Sequence, residues 1–366
     1  MYKILYPEKD ATIYESAPDK NTGIDQILEI RKFAVGEPHD DVTDQAASWD
    51  RNYNSRILLK FNINDLNIPT NATASAQYYL TLRAAEAIAL PTEYTIEAKP
   101  LSEDWVNGNG NYNDSPEITN GVSWLYKTSK QEADNWTGSE GSQFYTSVTG
   151  GGTWNDLYYG TQSFTLDLPD INMNVTPIVN KWISGDIPNY GFILKHTNSN
   201  EQNTNIFGTL AFFGRETHTI YLPTLKVFYP DATTYTGSYL STTNIDEDYI
   251  IYLKNLRGEY DVSEIAKIRL GVRDQFMTRT YATTQSSNDR LLPSTTYFSV
   301  QDSVTEIDVI PFNDVGTKLQ TDDSGHYIKL DFSSFLPNRY YKIVFKVVDD
   351  NGTRIIDNDY NFKVGR

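Results

Sequence analysis

The chain has 366 residues, with 31 Lys and Arg against 48 Asp and Glu, a formal charge of −17. It contains no cysteine, which excludes disulfides, thiolate catalysis and cysteine-ligated zinc or iron–sulfur sites. The acidic balance argues against a protein that coats nucleic acid, because such binders carry a basic footprint; 16 Phe, 6 Trp and 26 Tyr argue against disorder.

The first ten residues, MYKILYPEKD, hold no apolar core of signal-peptide length. No stretch approaches the ~20 apolar residues of a membrane helix. The expectation is a soluble chain, made without a cleaved leader and not inserted in a membrane. Runs at 29–33, 56–61, 77–83, 94–98, 163–168, 191–195 and 224–229 are β-branched or aromatic, and several alternate apolar with polar. Gly, Asn, Asp and Pro separate them. Many short strands between turn signals predict an all-β sandwich or jelly roll. One helix stands out: Thr176 suits the cap, Pro177 the first turn and Gly185 the stop. Its Ile178, Val179, Trp182 and Ile183 share a face that should pack on the sandwich, with Trp182 as a core aromatic.

Residues 103–160 break the pattern. They are rich in Gly, Asn and Ser and hold Trp105, Trp124, Trp136 and Trp154, four of the six tryptophans. So long a stretch is expected to carry order of its own, and we read it as ordered excursions from one end of the sandwich. Residues 232–246 are Thr/Ser-rich and read as a linker. Beyond them lie strand candidates at 249–253, 267–272, 296–300, 327–330, 341–348 and 353–356. Asp350-Asn351-Gly352 between the last two predicts a hairpin, and Asp322-Asp323-Ser324-Gly325 is a second turn of that kind. The number and spacing of these strands match an immunoglobulin-like sandwich. The expected organisation is a domain at 1–231 with an insertion at about 103–160, a linker at 232–246, and a second domain at 247–366.

Signals for chemistry are few. The histidines are His39, His196, His218 and His326, and none has the spacing of a metal pair. His196 and His218 flank strands of one domain and are the pair placed to approach each other. There is no Gly-x-Ser-x-Gly elbow. Glu103, Asp104, Asp114 and Glu117 sit beside aromatics and are the carboxylates from which a glycosidase pair would be drawn. Gly108-Asn109-Gly110 lacks the Lys and third Gly of a phosphate loop and reads as a turn. Neither Asp-rich turn has the ligand spacing of a calcium loop. A structural calcium ion held by other loop groups stays open, with no ligands assignable, and no other cofactor is indicated. Asn71, Asn113, Asn135, Asn174 and Asn351 begin Asn-x-Ser/Thr triplets that we read as composition. The aromatic set Trp105, Tyr112, Trp124, Tyr126, Trp136 and Trp154 is the interaction candidate. Three uses stay open for it: a satellite core, a protein interface, or stacking on sugars.

Asp10-Ala11-Thr12-Ile13-Tyr14, Asn21-Thr22-Gly23 and Leu28-Glu29-Ile30 are followed by Arg56-Ile57-Leu58-Leu59-Lys60-Phe61. Then come Val175-Thr176 with Trp182, Pro188-Asn189-Tyr190-Gly191-Phe192, Phe212-Phe213-Gly214-Arg215-Glu216 and Pro223-Thr224-Leu225-Lys226-Val227. This order, over roughly 1–230, resembles the DNRLRE-type domain, a jelly-roll module of large surface proteins related to carbohydrate-binding modules. Trp105-Val106-Asn107-Gly108-Asn109-Gly110, Asn120-Gly121-Val122-Ser123-Trp124 and the terminal Arg339-Tyr340-Tyr341-Lys342-Ile343-Val344-Phe345-Lys346 hairpin resemble virion structural proteins of large tailed bacteriophages. The resemblance implies an N-terminal jelly roll and a non-catalytic structural component of the tail, neck or portal-vertex region. Its aromatic loops would dock on other virion proteins in multiple symmetric copies. It implies assembly in a host cytoplasm and release by lysis. A glycan-binding adhesion module for host attachment, or an enzyme trimming surface polysaccharide, are the alternatives.

Overall fold

The computed structural model describes residues 1–34, 52–66, 68, 73, 75–138, 150–165, 169–203, 205–231, 249–276 and 290–366. The 232–246 linker, His39, Asn71 and residues 139–149 of the insertion lie outside the described residues. The architecture is all-β, built from antiparallel sandwich-like sheets, one of them curled partway into a half-barrel. The chain forms two compact units: Leu5–Asn67 with Tyr78–Lys226, and Met1–Ile4 with Ile68–Gln77 and Val227–Arg366.

In chain order the first strands are β1 (Tyr2–Leu5), β2 (Pro7–Tyr14), β3 (Ile27–Ala34), β4 (Asn52–Phe61), β5 (Gln77–Leu82), β6 (Ala84–Ile88), β7 (Glu93–Pro100), β8 (Gly160–Thr165) and β9 (Ile171–Asn174). Helix α1 (Thr176–Ser184), β10 (Phe192–His196), the short α2 (Asn198–Gln202), β11 (Gly208–Phe213) and β12 (Thr224–Phe228) follow. Every run expected to be a strand is one here; 166–168 of the 163–168 run lie outside the described residues. The large sheet runs β6-β11-β3-β4-β10-β7-β8, with β2 also on β4. The long β4 forks the sheet. Its Asn52, Tyr53 and Asn54 pair with β3, while Ser55 to Phe61 pair with β2. β5 pairs antiparallel with β9.

Helix α1 begins at Thr176, so Thr176 is its first residue and not the expected cap; Val175 holds that position without a side-chain cap. The Thr176 hydroxyl instead accepts the Tyr78 N–H at 2.9 Å. Gly185 ends the helix in the left-handed conformation, donating back to Trp182 O. Ile178, Val179 and Trp182 are buried, and the Trp182 ring lies 4.6 Å from Phe192. Ile183, expected on the same face, is exposed. It sits about 100° around the helix from Trp182, beyond the seam.

The C-terminal unit adds β13 (Tyr249–Leu253), β14 (Glu259–Tyr260), β15 (Ile265–Asp274), β16 (Thr296–Asp302), β17 (Asp308–Ile310), β18 (Gln320–Asp322), β19 (Gly325–Asp331), β20 (Arg339–Asp349) and β21 (Gly352–Val364). One sheet runs β13-β15-β19-β18, the other β14-β21-β20-β16-β17. All pairs are antiparallel except β14 with β21. Both expected hairpins form alike: Asp322 pairs with Gly325 and Asp349 with Gly352, and each aspartate accepts the N–H two residues on. Strands β14, β17 and β18 are two or three residues long, too short to show a period. The core of this unit is aromatic. Phe332 stacks on Tyr260 at 4.3 Å and meets Phe362 edge-on at 5.5 Å, and Phe335 lies 4.9 Å from Tyr341. Among the described residues, no helix is long and apolar enough to cross a membrane.

Candidate functional site

The insertion covers a sheet face. Lys99, Ile193, Leu58 and Ala11 are directly opposite one another across β7, β10, β4 and β2, so their side chains share one face. Ala11, Ile13, Leu58 and Ile193 on that face pack with Leu101, Trp105, Val122, Trp124, Trp136 and Trp154. The expected excursions from one end of the sandwich are therefore a cover laid over its face. This accounts for the unbroken apolar runs Ile57-Leu58-Leu59 and Phe192-Ile193-Leu194, which bury side chains of both parities.

All four insertion tryptophans are at most 6% exposed. The indole N–H of Trp105 donates to Tyr190 O, that of Trp136 to Ser123 O, and that of Trp154 to Asp156 Oδ1, each within 3.0 Å. Tyr112 and Tyr126 are half-buried. Tyr112 lies 4.7 Å from the Tyr14 ring with Lys20 Nζ over it at 4.6 Å, and its N–H donates to Asp25. The Tyr126 N–H donates to the Ser123 hydroxyl. The indoles thus act as packing groups of the insertion. Val106, Leu157 and Tyr159 of the insertion are exposed.

Beneath the indoles lies a buried charge layer. The Arg56 guanidinium makes a bidentate pair with Glu201, Nε to Oε1 at 3.0 Å and Nη2 to Oε2 at 2.8 Å, and donates to Gly151 O. It lies over the rings of both Trp124 and Trp154, 4.7 and 4.9 Å from their centroids. Lys195, fully buried, reaches Glu201 at 3.0 Å and Glu97 at 3.1 Å. Lys99 bridges Glu97 and Asp156. Burial pushes the Glu201 carboxyl up, but Arg56 and Lys195 outweigh it and hold the group at about 2. Arg56, Glu97, Lys99 and Lys195 occupy the face that alternation alone would give to solvent; the indoles turn it into interior.

The insertion's first turn closes on Asn21. The Asn21 amide donates to Asn107 O and Val122 O, while its oxygen accepts the N–H groups of Gly110 and Gly23. Every position on this buried side chain is used. Gly108 has φ +78°, and a Cβ there would sit 2.3 Å from both Asn120 O and Asn21 Oδ1. The Gly108-Asn109-Gly110 turn is thus wrapped on one asparagine.

The carboxylates from which a glycosidase pair would be drawn are committed to structure. Glu103 accepts from the Thr137 and Thr153 hydroxyls and pairs with Lys127. Asp104 pairs with Lys60 and Lys9, Asp114 accepts the Asn111 N–H, and Glu117 pairs with Lys20. Partial burial pushes Glu103 and Asp104 up, yet hydrogen bonds and nearby lysines hold both below the usual carboxylate range, the opposite of a glycosidase acid. His196 is buried against Tyr94 and Phe207, and His218 is exposed. His326 is buried and accepts the Leu292 N–H at 2.7 Å; burial lowers it to about 4, so the ring is neutral. Among the described residues, no group of three or more His, Asp or Glu is placed to hold a metal ion. A cavity of about 630 Å³ is lined by Glu8, Lys60, Phe61, Asn62, Asn64, Trp182 and Asn189, among others.

Sequence reasoning missed Arg56, Lys195 and Glu201. The available signal was a cation at the edge of each apolar strand run, together with the Gly150-Gly151-Gly152 triplet, of which Gly150 and Gly151 lie against Trp124. No family model, curated protein or solved structure matches the chain.

Proposed function

We propose that the protein is a non-catalytic structural component of a bacteriophage virion that docks on tail, neck or portal-vertex proteins. In this reading its first unit is a jelly roll and its second an immunoglobulin-like sandwich. The observation that supports it is that the insertion's four indoles face inward over a buried charge layer. The indoles that would stack on a ligand instead pack over one sheet face, and the insertion's carboxylates pair with Lys9, Lys20, Lys60 and Lys127 or accept local hydrogen bonds. Among the residues the cover exposes, in full or in part, are Val106, Leu157, Tyr159, Tyr112 and Tyr126, beside polar and charged groups such as Asp104, Glu117 and Lys130. A preformed surface of this kind suits docking, because little side-chain ordering opposes association. The net charge of −17 steers it toward basic partners.

The test is quantitative mass spectrometry of gradient-purified particles from a lysing culture that makes this chain. Copy number locked to portal or tail proteins supports the proposal. Absence from particles overturns it.

The 630 Å³ cavity favours a second reading, glycan binding for host attachment, since Asn62, Asn64, Asn189 and Glu8 offer amide and carboxylate partners beside Phe61 and Trp182. Binding of purified chain to a glycan array, abolished in Asn64→Trp, is the expected result of that reading; an array without signal removes it.

A further inference from the structure

We propose that Lys32 and Asn203 form a self-modification site, at which the two side chains join in an intramolecular isopeptide bond. Lys32 is fully buried on β3. Its Nζ donates to Asn203 Oδ1 at 2.8 Å, to the Asn203 backbone carbonyl at 2.6 Å, and to the Asn200 carbonyl. These three partners are neutral oxygens. An ammonium buried among neutral carbonyls bears a desolvation cost that the free amine escapes. Burial lowers the Lys32 amine to about 8, with the charge of Glu201 opposing. The nucleophilic form is therefore accessible near neutral pH.

The electrophile is prepared as well. Asn203 Oδ1 also accepts the Asn205 backbone N–H at 2.9 Å. That donor is aimed at the oxygen on which negative charge develops when an amine adds to Cγ. The Phe207 ring lies 5.2 Å from Nζ and shields the pair. In the step itself the neutral Nζ adds to Cγ, and the carbonyl electron pair moves to Oδ1. The intermediate collapses, the Cγ–Nδ2 bond breaks, and Nδ2 takes up one proton from Nζ to leave as ammonia. The product is a secondary amide, and no oxidant or co-reactant is needed. It closes a covalent loop across 171 residues.

Lys195 supplies an internal control. Its Nζ is also 2.8 Å from an asparagine oxygen, that of Asn198. Burial lowers this amine too, but two carboxylates, Glu97 and Glu201, hold the nitrogen at 3.1 and 3.0 Å and oppose loss of its proton, partners that Lys32 lacks at hydrogen-bond distance. No bond is expected there.

The experiment is intact-mass spectrometry of the purified full-length chain under denaturing conditions, with sequencing of proteolytic peptides. The expected result is a mass below the sequence mass by one ammonia, and a branched peptide joining Lys32 to Asn203. Both vanish in Lys32→Arg and in Asn203→Ala. Succinimide formation at Asn107, Asn109, Asn120 or Asn351, each followed by glycine, loses ammonia too. A deficit that persists in Lys32→Arg therefore overturns the proposal. So do linear peptides carrying unmodified Lys32 and Asn203 from the wild-type chain, a result that stands whether or not the variants fold.

Discussion

Two interiors of this protein are built from opposite materials. Under the insertion, Arg56, Lys195, Lys99, Glu97 and Glu201 are layered between indoles. In the C-terminal unit, Tyr260, Phe332, Phe335, Tyr341 and Phe362 pack ring on ring. The aromatic cluster gains from area removed from water and from ring geometry, and pH hardly touches either. The charge layer holds only while every ion keeps its partner, because a buried pair costs most when half of it is removed. One interior should therefore fail gradually with truncation, the other abruptly with loss of a single charge.

The largest effect is expected from Glu201→Ala. It strands Arg56 and Lys195 in a dry environment and should cost about 4 kcal/mol in urea unfolding. Glu201→Gln, which keeps the shape, should recover only a minor part of that. If the glutamine variant matches wild type, the layer is held by its indoles and the contrast collapses. Phe332→Ala should cost about 3 kcal/mol through cavity formation. Its cost should be the same at pH 5 and pH 8; a cost that varies with pH would show charge coupling in the aromatic core.

The strands were legible because β-branched and aromatic runs bounded by Gly, Asn, Asp and Pro carry their own address. Both Asp-initiated hairpins were legible for the same local reason. The charge layer was not. Arg56 and Glu201 are 145 residues apart, and each alone looks like an ordinary surface residue. The tryptophans were legible as a set but not as a role, since an indole that closes a core and one that meets a partner have the same sequence signature. What decides is whether a sheet face lies beneath them. That depends on the pairing of β2, β4, β10 and β7, strands from four distant segments. Asn21 was invisible as a clamp for a similar reason, because its partners at 107, 110 and 122 come from the insertion.

A smaller effect separates two glycines. Gly108→Ala must place a Cβ into two oxygens at a positive φ and should cost about 2 kcal/mol, with faster proteolysis of the insertion. Gly352→Ala also has a positive φ, but nothing lies within 4 Å of its Cβ, so a cost of about 1 kcal/mol is expected. Equal costs in denaturant titrations would mean that the Asn21 wrap contributes nothing beyond backbone conformation.

The smallest effect tests the pH contrast from within the first unit. Glu201 is held at about 2, below its ordinary value of 4.5. Its contribution is present above pH ~4.5 and is lost as pH falls toward 2. Asp10 runs the other way. Burial pushes it up to about 6 from 3.8, against the Arg215 N–H that its Oδ2 accepts. Between those values the folded chain binds a proton that the unfolded chain does not. Asp10 therefore adds stability as pH falls from about 6 toward 4, and burying its charge is a cost at neutral pH. Asp25, pushed up to about 6 by its own burial, adds to the same slope. The wild-type thermal midpoint should rise gently from pH 7.5 to 5 and drop steeply below 4. Asp10→Asn keeps an oxygen for the Arg215 N–H and removes one proton-linked site. It should raise stability at pH 7.5 by about 1 kcal/mol, flatten the gentle rise, and leave the acid collapse in place. A variant that loses the acid collapse as well would overturn its assignment to Glu201, since Asp10 and Asp25 gain stability as pH falls, and the charge layer would no longer be the part of the fold that pH breaks first.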